Sequence, residues 1–373
     1  VNQIIMIVLL FGFIGLPGCV RWHKGAIMKV LVTGGCGFLG SHICEFYARR
    51  GDQVLSYDLM TKHELQRNPY SADAAREYNW NYLKSLGVAC VKADVRNAEE
   101  LADHVSSCDF IAHTAAQPTM TIGLENPELD FTTNVVGTFN VLSAAHRHRI
   151  PVASCATIHI YGNELNANLR EEETRYTCEP PAFSEALPVL QGEITPLHAS
   201  KMATDIYVRM FIDSFGVKAA SFRLSGIYGP RQFGGEDHGW VANFLIRAYM
   251  GLPMKVFHNG KQLRDIVHAS DVARAFHAFY EKQVPGVYNI GGGPENTLSL
   301  LECIRMIEEL LGKKAEVEFA GERFGDLYYF VCDIAKAQRH LAWNPLVSPR
   351  EGVESLLAWM IENSSLFSLP RTT

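Results

Sequence analysis

The sequence predicts an α/β fold: a doubly wound parallel sheet of the Rossmann type, with a smaller C-terminal α/β substrate-binding domain. Three observations predict it. Met28-Lys29-Val30-Leu31-Val32-Thr33 is a short, apolar, β-branched run, the pattern of a buried parallel strand, and glycines follow at 34, 37 and 40. A helical pattern from Ser41 to Arg50, closed by Gly51, leads to a second strand pattern, Gln53 to Tyr57, which ends on Asp58. Strand and helix patterns alternate from there on.

Each part of the first unit has a physical task. Gly34 permits the sharp strand-to-helix turn, Gly37 leaves room for backbone amides to approach a pyrophosphate, and Gly40 lets the helix pack close to the sheet. Phe38 and Leu39, within this turn, are expected to meet the cofactor, and the N-terminus of the helix that follows offers unpaired N–H groups and a partial positive charge to an anion. Asp58 falls where a carboxylate accepts from both hydroxyls of an adenosine ribose. A 2′-phosphate there would meet a like charge, so the unit points to NAD rather than NADP.

The remaining elements follow in order. Leu59 to Leu86 reads as a long polar and aromatic insertion. Strands are expected over Val88 to Val95, Asp109 to Thr114 and Pro151 to Ala156. A helix from about Leu129 to His148 would bury a broad face through Phe131, Val135, Val136, Phe139, Val141 and Leu142. Asn163 to Pro196, acidic and proline-containing, reads as loop and short helices over a site. A long helix from about Thr195 to Phe215 stops at Gly216, and a sixth strand runs from Val217 to Leu224. Beyond Gly226 the share of glycine, proline and aromatics rises, and the chain returns to the sheet around Gly286 to Ile290. The expected division is a dinucleotide domain of residues 28–225 with 268–290, and a substrate domain of 226–267 with 291–365.

Composition bounds the function. With 373 residues, 47% hydrophobic and 20% charged, the chain has the balance of a globular enzyme. A net charge of −6 without a long basic run argues against nucleic acid or an anionic membrane surface as the main partner. Nine scattered cysteines, none in CxxC spacing, suggest neither a zinc site nor a disulfide framework, which fits the cytoplasm. Residues 1–27 form an awkward extension. Ile4 to Ile14 is almost wholly apolar, yet no Lys or Arg precedes it, and it is short for a membrane span. Met28 is a natural start, so the extension reads as over-long and without a role, with a membrane tether as the alternative.

Further motifs carry a resemblance. They are Asn126-Pro127-Glu128-Leu129-Asp130-Phe131, Asn134-Val135-Val136-Gly137-Thr138, Tyr228-Gly229-Pro230-Arg231-Gln232-Phe233 with Gly239-Trp240-Val241, Gly260-Lys261-Gln262-Leu263-Arg264-Asp265 and Asn289-Ile290-Gly291-Gly292. With the glycine turn they resemble the extended short-chain dehydrogenases/reductases that act on nucleotide sugars, and among these the CDP-tyvelose (CDP-paratose) 2-epimerases. The Arg231-to-Trp240 block discriminates best from 4-epimerases. The resemblance implies that bound NAD⁺ takes hydride from a sugar carbon, the keto-sugar turns, and hydride returns to the opposite face. It also implies a base, normally the Tyr of a Tyr-x-x-x-Lys pair.

Here the chain departs from the pattern. Lys201 is present, but Leu197 stands four residues earlier, and leucine accepts no proton. Thr157, four residues before Tyr161, matches the Ser or Thr that hydrogen-bonds the reacting hydroxyl. Three readings stay open. Another group serves as base, with His198 the first candidate and His159 the second, although one helical residue is a rotation of about 100°. The enzyme runs without that base, or catalysis is lost and the protein binds NAD or a nucleotide sugar silently. A 4,6-dehydratase is disfavoured, since Ile158-His159 replaces the Asp-Glu pair that follows the Thr in those enzymes.

By the same resemblance Asp94 and Val95 contact the adenine, and Thr114, Ala115 and Ala116 form the small-residue strand end under the cofactor. Lys201 also holds the nicotinamide ribose. Gln117, Thr157, Arg231 and Gln232 line the substrate site. Arg264 and Arg323 clamp the substrate diphosphate, and Asp326 accepts from the nucleotide ribose. Asn134 has a structural role. The helix at Asn134 and the one ending at Phe215 form a dimer bundle, so a homodimer is implied. No metal is expected.

Overall fold

The computed structural model describes residues 26–369, apart from 62, 69, 71 and 73. The expected leader, residues 1–25 of it, lies outside the described residues. Seven parallel strands make the main sheet: β1 (Lys29–Thr33), β2 (Gln53–Asp58), β3 (Ala89–Lys92), β4 (Phe110–His113), β5 (Val152–Thr157), β6 (Ala219–Leu224) and β7 (Gly286–Ile290). Their order is β7-β6-β5-β4-β1-β2-β3. The doubly wound sheet is therefore present. Val30, Leu31 and Val32 are all but inaccessible, because helices cover both faces of β1.

The helices that matter to the site are α1 (Phe38–Arg50), α2 (Ala75–Ser85), α3 (Gly137–His148), α4 (Pro196–Phe215) and α5 (Ala269–Lys282). Helix α1 begins three residues before the expected Ser41, since Gly37 is its N-cap in an extended conformation. Gly51 and Gly216 end α1 and α4 with positive φ, as expected of C-cap glycines. The expected 129–148 helix is present and starts at Pro127: an α-helical turn, Pro127–Asp130, continues through a π-helical stretch, Phe131–Val136, into α3. The π stretch carries Asn134, whose side-chain oxygen accepts from Gln117 N at 2.8 Å while its amide donates to Gln117 O at 3.1 Å.

Part of the 59–86 insertion is helical. In α2 the buried residues are Ala75, Asn79 and Leu83, spaced at four, and Asn79 donates to Cys36 O at 2.8 Å. The insertion thus seats on the glycine turn. The 163–196 stretch is loop with 3₁₀ turns and a two-residue hairpin, Arg170–Glu171 against Tyr176–Thr177.

A second sheet lies beside the first. Leu263–His268 is its centre, paired with Thr297–Ser299 antiparallel and with Tyr329–Phe330 and Gly226–Tyr228 in parallel. Between its strands the chain returns through α5, which packs on α1, and through β7, which pairs with β6. One buried ion pair ties α4 to the main sheet: Arg223 Nη2 meets Asp205 Oδ2 at 2.8 Å, and both side chains are almost fully buried. Arg223 Nη1 also donates to Tyr161 Oη at 2.8 Å, so the turn after β5 joins the same network.

Candidate active site

The glycine turn explains itself atom by atom. Gly34 has φ +69°, and a methyl there would sit 2.7 Å from Ala115 N, at the end of β4. A methyl at Gly40 would overlap the Gly34 carbonyl oxygen, so this glycine fits α1 against the turn itself. Gly37 caps α1 without any side-chain bond to the first-turn amides. Asp58 is 8% exposed, and its two oxygens accept from Cys36 N at 2.9 Å and Met60 N at 2.7 Å. Those bonds fix the carboxylate at the groove.

That groove is lined by Gly34, Gly37, Asp58, Asp94, Val95, Thr114, Ala115, Ala116 and Gln117. Phe38, Leu39 and Gly40 continue from it as the first turn of α1. Asp94 is gripped by Arg96, with Nε 2.8 Å and Nη2 2.6 Å from Oδ2. A dinucleotide fits these residues: the close approach at Gly34 leaves bare backbone, and the α1 amides face a turn without side chains. Arg76, on α2, also reaches this place. It donates to Cys36 O at 3.3 Å and Thr61 O at 3.1 Å, and pairs with Glu64. Its only sequence signal was the helical spacing of Ala75, Asn79 and Leu83.

The reacting corner lies where β5 ends against α4. Lys201 Nζ donates to Cys155 O at 3.1 Å, two residues before Thr157. Burial pulls the Lys201 pKa down from its usual value, while Cys155 and Asp130 act to raise it. Asp130 is raised by burial and bonded to Gln117 and to Ser200. Leu197 is buried in the first turn of α4, one turn before Lys201. Burial pushes the Cys155 thiol up to about 12, which leaves it no nucleophile at neutral pH.

His198 has a structural task. Its Nδ1 accepts from Thr195 N at 3.3 Å, and its own N–H donates to Thr195 Oγ1 at 3.3 Å. The two bonds close a capping box at the start of α4. Thr157 Oγ1 accepts from His159 N at 3.3 Å.

Arg264, Arg323 and Asp326 are brought together. Arg264 Nη2 lies 3.5 Å from Asp326 Oδ1 and also bonds the Leu327 carbonyl. Burial lowers the pKa of both arginines and raises that of Asp326, on which both arginines act in the opposite sense. Arg323 stacks over the Phe257 ring at 3.6 Å. Arg231 is placed elsewhere. It bonds Ser41 Oγ at 3.0 Å and Glu45 Oε2 at 2.6 Å on α1, and lies over the Tyr82 ring of α2. Gln232 is buried, donating to Ile227 O at 3.0 Å. Both hold the 229–239 segment in place. A polar cavity opens beside it, lined by Glu64, Asn68, Thr119 and Gly235 to His238.

Among the described residues no group of three potential metal ligands is found, and no helix is long and apolar enough to cross a membrane.

Residues 30–291 match the model of the NAD dependent epimerase/dehydratase family. The chain is 32% identical over 347 residues to a CDP-paratose 2-epimerase of Salmonella typhi, covering 89% of this chain and 99% of the relative. It superposes on Thermus thermophilus UDP-glucose 4-epimerase in complex with NAD, with a TM-score of 0.72 at 31% identity over 90% of this chain and 99% of that one. It also superposes on Bacillus cereus UDP-glucuronic acid 4-epimerase with UDP-glucuronic acid and NAD, with a TM-score of 0.76 at 25% identity over 90% and 100%.

Proposed function

Since the chain belongs to the NAD dependent epimerase/dehydratase family, we propose that it is a nucleotide-sugar epimerase that inverts one sugar carbon through a transient ketone, with a CDP-sugar as substrate. The observation that carries this reading is the buried Lys201 ammonium on the Cys155 carbonyl, two residues before Thr157 at the end of β5. Bound NAD supplies a hydride acceptor and then a donor. The bare turn at Gly34 and Gly37 holds its phosphates, Asp58 its adenosine ribose, and Lys201 its other ribose. Thr157 hydrogen-bonds the reacting hydroxyl. Arg264 and Arg323 neutralise the substrate diphosphate, and Asp326 orients the nucleotide ribose. Residues 226–267 and 291–365 serve as the substrate domain, and a cytoplasmic enzyme accords with the free cysteines at 36, 44 and 90.

The direct test is incubation of the purified protein with CDP-, UDP- and GDP-sugars. Product epimers by chromatography, with transient absorbance near 340 nm, are the expected result. One observation favours a second reading: Leu197 occupies the place of a phenol. If every sugar nucleotide binds and none is converted, the protein is a silent NAD-dependent binder.

The exposed side chains of Phe139 on α3 and of Ile206 and Phe215 on α4 support a homodimer built on these two helices. Phe139→Glu is expected to halve the mass seen by light scattering during gel filtration, because a charge would be buried unpaired at the contact.

A further inference from the structure

The proposed reaction needs a proton acceptor, and Leu197 is none. We infer that His159 is the catalytic base of this enzyme, an inference that rests on the epimerase reading above.

Position supports it first. His159 stands in the 3₁₀ turn Ile158–Tyr161 directly after β5, and its N–H is bonded to the Thr157 side chain. Its ring lies parallel to that of His198, with centroids 5.8 Å apart and planes 8° apart. Gly325, of the turn carrying Arg323 and Asp326, packs on His198: a methyl at Gly325 would lie 3.3 Å from the His198 Cε1. The two stacked rings therefore bridge the reacting corner and the anion clamp, which is where the sugar must lie between them.

Hydrogen bonding then separates the two histidines. His198 also has one buried ring nitrogen without a partner, Nε2, but its Nδ1 is committed to the helix cap, so a change in its charge state would disturb the start of α4. His159 Nδ1 is buried without a hydrogen-bond partner. The His159 side chain has no structural bond to lose on protonation, and the residue is partly exposed.

The charge state also suits the task. Burial, then Arg264 and His198, press the His159 pKa down to about 3, so the free ring is neutral. A substrate diphosphate on Arg264 cancels one of those depressing charges and brings negative charge, which makes the ring a stronger base only once substrate is bound.

The step balances. The sugar O–H bond breaks and its proton forms an N–H bond on His159. The electron pair left on oxygen becomes the carbonyl bond as the same carbon loses hydride, so the carbon is oxidised. On the return half the carbon regains hydride on its other face and the oxygen regains the proton from His159. Proton and hydride are each lent once, and nothing is consumed.

The test uses the full chain. His159→Asn is expected to lower kcat by about 10²–10⁴, to keep its NAD content, and to lose the acid limb that the unaltered enzyme shows in kcat as His159 is protonated. A second measurement does not depend on turnover. Diethyl pyrocarbonate should modify His159, mapped by mass spectrometry, and CDP should protect it. An active enzyme whose His159→Asn variant keeps both rate and acid limb overturns the base and leaves the epimerase reading standing. Absence of modification at His159 in the free protein likewise overturns the base alone. A native chain that converts no sugar nucleotide overturns both.

Discussion

Gly34→Ala protein is expected to fold and to carry no NAD, with affinity lowered at least about a hundredfold. Two costs meet at this position. Alanine at φ +69° is strained by about 1–2 kcal/mol. In addition, its methyl must displace the Ala115 backbone, 2.7 Å away, and Ala115 lines the groove. Gly51 also has a positive φ, +89°, with nothing within 4 Å of an added methyl. Gly51→Ala therefore serves as control for strain alone: it should lose about 1 kcal/mol of stability and retain NAD. The absorbance of nucleotide released on denaturation, together with calorimetric titration of NAD, reads both variants.

Arg223→Met should lower stability by about 3–5 kcal/mol. The substitution leaves the Asp205 carboxylate, which is fully buried, with Ser221 Oγ at 2.5 Å as its remaining side-chain donor. An unpaired charge in that place costs far more than the lost attraction would suggest. Adding Asp205→Leu should recover part of the loss, since a pair replaced by apolar groups is close to neutral. Thermal unfolding of the single and double variants measures this. An undiminished midpoint in Arg223→Met would show that water reaches the pair. Because Arg223 also holds Tyr161, the single variant should weaken the turn that bears His159 and Thr157.

Much of this was legible in the sequence where periodicity and glycine chemistry act locally. The strand before Gly34, the acid at Asp58, and the helix stops at Gly51 and Gly216 all follow from short-range rules. What escaped depends on contacts distant along the chain. Arg231 sits in a motif that suggests ligand binding, yet its partners Ser41, Glu45 and Tyr82 lie some 150 to 190 residues away, and no local pattern announces them. The insertion concealed α2 because its buried face is Ala75, Asn79 and Leu83, of which only one is a large apolar residue. The sequence ranked His198 before His159 as the replacement base, because His198 adjoins Leu197. The Thr195 cap distinguishes them, although Thr195 three residues before His198 was visible as a capping spacing. Arg223, a charge within the strand pattern Ala219–Leu224, was itself the sign of a buried partner.

The return of the chain through α5 and β7 has a further consequence for modularity. Because α5 packs on α1 and β7 completes the sheet edge beside β6, a break after residue 225 would strip the larger half of its last strand and bare Phe222, which is packed on Phe276. Truncated chains should aggregate, and substrate preference cannot be exchanged between such proteins by swapping one contiguous cassette.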